Sequence, residues 1–432
     1  SPTAFIIGAV VSVFVGLAAT ARAVGKAARL APIVAMNPPE PPSFRTSSGW
    51  VQKVLPAFDE PTRIMIRQIF RWPIRSLITA FGFAAAIAMM VLSLYFTDAV
   101  NEISRTHFDE FQREDLALGF NEPKSSVVLQ EIRNLPGVIA AEPMRIVAVD
   151  LVAGHLKHRG ALQGVTEDAR FTQVYDVRRG PVSIPGKGLV LTSRLAEKLN
   201  VQVGDNLDVR ILEGRRPTVS LTVAETYNSY IGTLAFLNID NLNTIMGERP
   251  TTQYVNTIID ETRQEELLKV LKNLPAISTV AMKKVAVANF NQTIAETMMI
   301  FVGFFSAFSF ALGFGVTYNA QRIALSERGR ELATLRVLGF SRSDALYILI
   351  GETLLLVCVA LPLGCLLGWG LTAIFVNASG FQTELMRLPL VIESATFGLA
   401  IVVLLAATAA SGLAMRRLVQ KLDLISVLKT RE

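Results

Sequence analysis

Residues 327–346 read ERGRELATLRVLGFSRSDAL, and they stand between two long apolar runs, MMIFVGFFSAFSFALGFGVTY (298–318) and YILIGETLLLVCVALPLGCLLGWGLTAIFV (347–376). A bare reversal between two such runs needs only a few residues, whereas this one is long and patterned. Leu332, Leu335 and Leu338, with Ala333 and Val337 beside them, make a narrow apolar face. Glu327, Arg328, Arg330, Glu331 and Arg336 fill the rest, with Glu327–Arg330 and Arg328–Glu331 at helical i,i+3 spacing. Gly339 suits a left-handed helix end, and Ser341 and Asp344 can start the next helix. The spacing therefore predicts a short helix over 327–338, capped at both ends and held against a membrane surface.

The flanking runs set the class. The chain of 432 residues is 51% hydrophobic and only 18% charged, against about 25% charged in soluble domains. Its apolar residues gather in blocks near the roughly 20 helical residues that a bilayer core demands. Five blocks qualify, at about 3–20, 77–97, 297–318, 347–376 and 392–414. They predict an integral membrane α-helical protein of about five spans, with one large polar insertion at 98–295. Segments 21–76, 319–346 and 415–432 hold 19 Lys/Arg in 102 residues, against 22 in 198 for the insertion. The basic side is expected to be cytoplasmic, and the net charge of +6 is expected to meet anionic headgroups, with no nucleic-acid partner. Cys358 and Cys365 both lie in the fourth block, so no disulfide framework supports the insertion.

Two internal likenesses organise the rest. GLAATARAVGKAARLAPIVAM (16–36) and GLAMRRLVQKLDLISVL (412–428) share a basic stretch leading to Arg29, Leu30, Ile33, Met36 and to Lys421, Leu422, Ile425, Leu428. Residues 1–40 are thus expected to be the last span and basic tail of a preceding unit, cut from a longer chain. A Pro/Ser linker follows at 41–57, and a second, complete unit ends in the tail 415–432. Within the insertion, VVLQEIRNLPGVIAAEPMRIVAV (127–149) resembles EELLKVLKNLPAISTVAMKKVAV (265–287), each a helix, an Asn-Leu-Pro turn and a strand-like run. Two such halves predict one α+β subdomain. The period-two stretch between them, 187–227, predicts a second, mainly β subdomain.

Other features are weighed by their chemistry. In FDEPTRIMIRQIFRWPIRS (58–76), Asp59 and Pro61 suit a helix start, and Arg63, Arg67, Arg71 and Arg75 recur every fourth residue. That basic stripe predicts an interfacial amphipathic helix touching anionic lipids; an ordinary positive flank to a span is the plainer reading. Glu352, just inside the fourth block, is expected either to partner a basic residue of the 319–346 loop or to sit in interfacial water. Gly364 and Gly368 after Pro362 form a Gly-x-x-x-Gly that permits close helix approach. His155 and His158 lack a third ligand candidate, so no metal site is expected. No P-loop, nucleophile elbow or paired-acid constellation occurs, so the chain is not expected to be catalytic.

The run SERGRELATLRVLGFSRSDALYILIGETLLL closely resembles the signature of FtsX/MacB-type ABC-transporter permeases, the type VII superfamily. Glu327, Arg328, Glu331, Leu335, Arg336, Gly339, Ser341 and Glu352 occupy matching positions. RQIFRWPIRSLITAFGFAAAIA (67–88) resembles the entry segment of such units, and the order of spans, insertion and basic tail is similar over about 60–432. The resemblance implies a two-part periplasmic domain at 98–295, and a coupling helix in 319–346 with Glu327, Arg328, Glu331, Leu332, Leu335, Arg336, Leu338 and Gly339 as its ATPase contacts. Glu352, Pro362, Gly364 and Gly368 would then transmit motion. It further implies a dimer of ABC ATPase subunits carrying ATP and Mg2+, a second permease unit (from a ten-span chain or another copy), a periplasmic partner protein, and a bacterial inner-membrane location. The expected work is export or extraction of a lipid, lipoprotein, peptide or hydrophobic compound. The alternative is a mechanotransmission regulator of a periplasmic hydrolase or sensor, with nothing transported.

Overall fold

The computed structural model describes residues 2–28, 59–337, 341–378 and 387–421. They fall in two units, Ser1–Phe58 and Asp59–Glu432. In the first, α1 (Pro2–Ala28) carries an apolar stretch at Ile6–Ala18; the linker expected at 41–57 lies outside the described residues. Among the described residues, four helices, all in the second unit, are long and apolar enough to cross a membrane. The expected count is about five; the first expected block is present as the shorter apolar stretch of α1.

The second unit opens with α2 (Glu60–Arg71), which Trp72 joins to α3 (Pro73–Arg105). The break has a local cause. Pro73 has no N–H to give the carbonyl of Ile69 four residues back, and Ser76 Oγ donates to that oxygen instead, at 3.1 Å. Asp59 stands at the N-cap without a side-chain capping bond. A π-helical turn, Thr106–Phe111, ends α3.

The insertion follows as β1 (Leu116–Ser125), α4 (Val127–Arg133), β2 (Val138–Ala153), β3 (Leu156–Val165), the short β4 (Tyr175–Asp176) and β5 (Gly180–Pro181), then β6 (Leu189–Thr192), α5 (Ser193–Leu199), β7 (Asn206–Ile211), β8 (Thr218–Tyr227), β9 (Ala235–Asn238), α6 (Ile239–Met246), β10 (Thr251–Ile259), α7 (Gln264–Lys272) and β11 (Ile277–Met282). The main sheet runs β11-β1-β10-β2-β3-β9-β6-β8-β7, and β7 also pairs with β2. Strands β2, β3, β9, β6, β8 and β7 therefore close on themselves as a six-stranded barrel, which removes their edges.

The barrel is the mainly β subdomain. Val147, Val149 and Leu151 point inward from β2 at period two and meet Leu162, Leu207, Val209, Ile211 and Leu237, all buried. The other subdomain is the open part, β11-β1-β10-β2, whose strands alternate between the two like halves. Helices α4 and α7 cover one face, burying Ile132, Leu267 and Leu271 on Leu116, Leu118 and Val255. The two Asn-Leu-Pro turns have the same bonding: Leu135 N donates to Ile132 O and Leu274 N to Leu271 O, both at 3.1 Å. The halves thus interleave in one sheet, with β1 lying between β11 and β10. Strand β2 serves both subdomains. It pairs with β10 as far as Met144 and with β3 from Arg145 onward.

The chain returns through α8 (Lys283–Val337), α9 (Arg342–Asn377) and α10 (Ser394–Lys421). Helix α3 is the hub of this bundle: Phe83, Ala84, Ile87 and Val91 are buried with Leu356, Val357, Ala360 and Leu404 of α9 and α10. Small residues bring the backbones close, as expected where lipid supplies no hydrophobic drive between helices. Ser309 Oγ of α8 donates to Ala86 O at 2.8 Å.

Candidate functional site

The segment predicted to be a separate capped helix is not separate. Helix α8 runs unbroken for 55 residues from Lys283 to Val337, about 80 Å of helix at 1.5 Å per residue. The 297–318 span and the 327–337 segment are therefore one rigid element. The reason lies in composition: nothing between Tyr318 and Val337 interrupts helix formation, the one glycine there (Gly329) costing only about 1 kcal/mol against alanine. The side chains of Glu327, Arg328, Glu331, Leu332, Leu335 and Arg336, and all of Leu338 and Gly339, lie outside the described residues.

Just before that segment along α8 lies a small polar pocket among three helices. Arg75, Ser76 and Thr79 of α3, Ala320 and Ala324 of α8, and Leu349, Glu352, Thr353 and Leu356 of α9 line it. Glu352 is buried, and a carboxylate there requires a polar or charged environment. The basic residue brought to it is Arg75, the last member of the arginine stripe. The stripe therefore divides: Arg67 and Arg71 are exposed, Arg63 is half-buried, and Arg75 turns into the bundle. Helix α2 itself is seated on α9 through Met65, which is 2% exposed. A Cβ at Gly351 would run into the Met65 Sδ.

The glycine motif lies at a close contact of α9 with α3. A Cβ on Gly364 would stand 2.7 Å from Ile87 Cβ, and one on Gly368 would stand 2.8 Å from Val91 Cβ. Both glycines thus seat α9 against α3. Pro362 lies inside α9, which continues through it. His158 lies on β3 with Nε2 3.2 Å from Thr233 Oγ1, while His155 is exposed in the turn before that strand.

At the outer end, three residues matter that sequence reading passed over. Asp98 of α3 is buried, and its Oδ2 accepts from Glu393 N at 3.0 Å and from Thr396 Oγ1 at 2.6 Å. It caps the N-terminus of α10 from a neighbouring helix, where a negative charge is favoured. Its signal was an acid closing an apolar run opposite a Glu-Ser-x-Thr helix start. Arg145, 2% exposed, stands where β2 changes partners. It donates to Asn243 Oδ1 at 2.8 Å and to Thr251 Oγ1, and pairs with Glu248 Oε2 at 2.7 Å, so it ties the barrel helix α6 to β10.

Glu114 is buried where the α3 stalk enters β1. One of its carboxylate oxygens has no hydrogen-bond partner. Burial pushes its carboxyl up from 4.5 to about 7, against the pull of Lys283 and with the push of Glu142 and Asp115. The second stalk starts at the same place, since Lys283 N donates to Asp115 O at 3.0 Å.

Residues 303–424 match the family described as FtsX-like permease C-terminal. The match takes in most of α8, the 327–346 segment, α9 and α10, so the permease resemblance carried by the motif is found again across this region. Among solved structures, the chain is similar to the periplasmic region of MacB from Actinobacillus actinomycetemcomitans, at 12% identity over 44% of this chain and 95% of that one, with a TM-score of 0.31. It is also similar to the extracellular domain of the noncanonic ABC-type transporter YknZ from Gram-positive bacteria, at 11% identity over 38% and 98%, with a TM-score of 0.29. Among curated proteins none matches.

Proposed function

We propose that this chain is the membrane subunit of an ATP-driven ABC transporter, in which a separate ATPase moves the 327–339 segment and the movement drives the extracytoplasmic domain. The carrying observation is α8, a single helix that runs from Lys283, next to the domain's sheet, through an apolar stretch long enough to cross a membrane, to Val337. A push at one end of such an element cannot be absorbed by a hinge loop before it reaches β11 and β1. Glu352 and Arg75, lining one pocket against Ala320 and Ala324 of α8, would tie α3 and α9 to the same displacement, and Gly364 and Gly368 keep those two helices in register. ATP and Mg2+ would be held by the ATPase dimer. A second permease unit would complete the assembly in a bacterial inner membrane. The work done is export or extraction of a lipid, lipoprotein, peptide or hydrophobic compound.

The regulatory alternative draws on a different observation. The barrel interior is filled by its own side chains, so the domain offers outer surfaces to a partner and no internal ligand chamber. The first test is co-purification of the detergent-solubilised chain with its ATPase. Leu335→Asp and Arg328→Glu are each expected to abolish it while leaving the extracytoplasmic domain folded. Retention of the ATPase by both variants would remove the coupling segment from the mechanism.

A further inference from the structure

The two stalks both enter the open sheet, by way of β1 and β11. A different piece of chain ties the membrane bundle to the barrel. It is the stretch 387–396 that leads into α10 on the outer side, and it is held at both ends. At the barrel end, Arg387 N donates to Tyr230 O at 2.8 Å, in the loop after β8. Its guanidinium Nη2 reaches Glu197 Oε2 on α5 at 2.6 Å. At the bundle end, Tyr95 OH of α3 donates to Pro389 O at 2.8 Å. Leu388 and Ile392 pack on Tyr95, Ala99 and Val376, and Asp98 accepts from Glu393 N and Thr396 Oγ1.

The bundle end is built from buried groups and so belongs to the rigid frame of α3, α9 and α10. The barrel end is built differently. Arg387 is 29% exposed and Glu197 is 58% exposed, and Arg387 Nε is buried without a partner. A half-exposed ion pair backed by one main-chain hydrogen bond is a contact that can be broken and remade. The strap is firm on the bundle and releasable on the barrel.

We propose that Arg387 is a positioning residue, a latch through which the α9–α10 pair carries the barrel with it, alongside the two stalks. This rests on the transmission reading, but the latch is tested without nucleotide. Spin labels on α5 and at the outer end of α10 in the full-length chain report the barrel's position relative to the bundle, and hydrogen exchange reports the protection of α5. Arg387→Glu and Glu197→Arg are each expected to broaden the distance distribution and to raise exchange of the α5 amides roughly tenfold, the loss of one charge-assisted hydrogen bond with the Arg387 main-chain bond left in place. The double exchange, Arg387→Glu with Glu197→Arg, is expected to restore both. Exchange in β2 checks that the barrel stays folded. Unchanged distances and exchange in the single variants, or a folded double variant that stays as loose as the singles, would overturn the latch. An intact latch in an ATPase-bound complex whose barrel and α10 show no ATP-dependent movement relative to α8 would instead count against the transmission reading alone.

Discussion

Replacing Glu114 by Gln keeps the shape of the side chain and removes its charge, at the point where both stalks meet the sheet. The native carboxyl is raised by burial from 4.5 to about 7. Below pH 4.5 it is protonated both folded and unfolded, so it carries no charge penalty. Between 4.5 and 7 the native state holds a proton that the unfolded chain has released, and native stability falls as pH rises through this window. Above 7 the full penalty stands, which for that separation is roughly 3 kcal/mol. Lys283, which lowers the value, and Glu142 and Asp115, which raise it, are all acting already in that figure. Hydrogen exchange of the β1 amides Leu116–Phe120, corrected for the intrinsic pH dependence of exchange, measures the effect locally. Protection in the native protein is expected to fall on the order of 100-fold between pH 5 and pH 8.5. Glu114→Gln is expected to be flat over that range and better protected than the native chain at pH 8.5. A native profile that is already flat, or a Gln variant with the native slope, would refute the reasoning, for instance because Lys283 swings in and neutralises the carboxylate as it ionises.

Two further outcomes follow from packing. Gly364→Ala forces a Cβ to within 2.7 Å of Ile87 Cβ, whereas a Cβ at Gly370 of the same helix meets nothing within 4 Å; thermal unfolding in detergent should show a loss of about 1–3 kcal/mol for Gly364→Ala and none for Gly370→Ala. Arg145→Met leaves Glu248, Asn243 and Thr251 without their buried donor, and should cost about 3 kcal/mol, seen as faster exchange in α6 and β10 while the far end of the barrel keeps its protection.

The membrane class, the position of the insertion and its division into a repeated α+β part and a β part were all legible in the sequence. Apolar blocks of bilayer length, period-two alternation and the two Asn-Leu-Pro turns are local signals, and the physics behind them acts over one helix or one strand. Contacts between elements were not legible. Arg75 read as one tooth of a surface stripe, because periodicity cannot say that Trp72 and Pro73 break the helix and put that residue on the wall of the pocket that Glu352 also lines. The 327–338 segment read as a separate helix, because a charged stretch after an apolar one looks like an ending when the environment changes, although the backbone hydrogen bonds need no ending there.

The same limit is plainest in three identical residues. Val147-Ala148-Val149 and Val285-Ala286-Val287 follow equivalent turns in the two like halves. The first is strand, with Val147 and Val149 buried inside the barrel; the second is helix, with Val285 46% exposed. The sequence by itself determined that each half would have a helix, a turn and the start of a strand. The tertiary structure decided where the strand stops. Strand β2 has β3 and β7 to pair with beyond Met144. Strand β11 pairs along its length with β1 alone, and β1 begins at Leu116, opposite Met282. Past that point 283–287 have no neighbouring strand: Lys283 N keeps its bond to Asp115 O, and the carbonyls of these residues accept from the next turn as the chain enters the stalk helix.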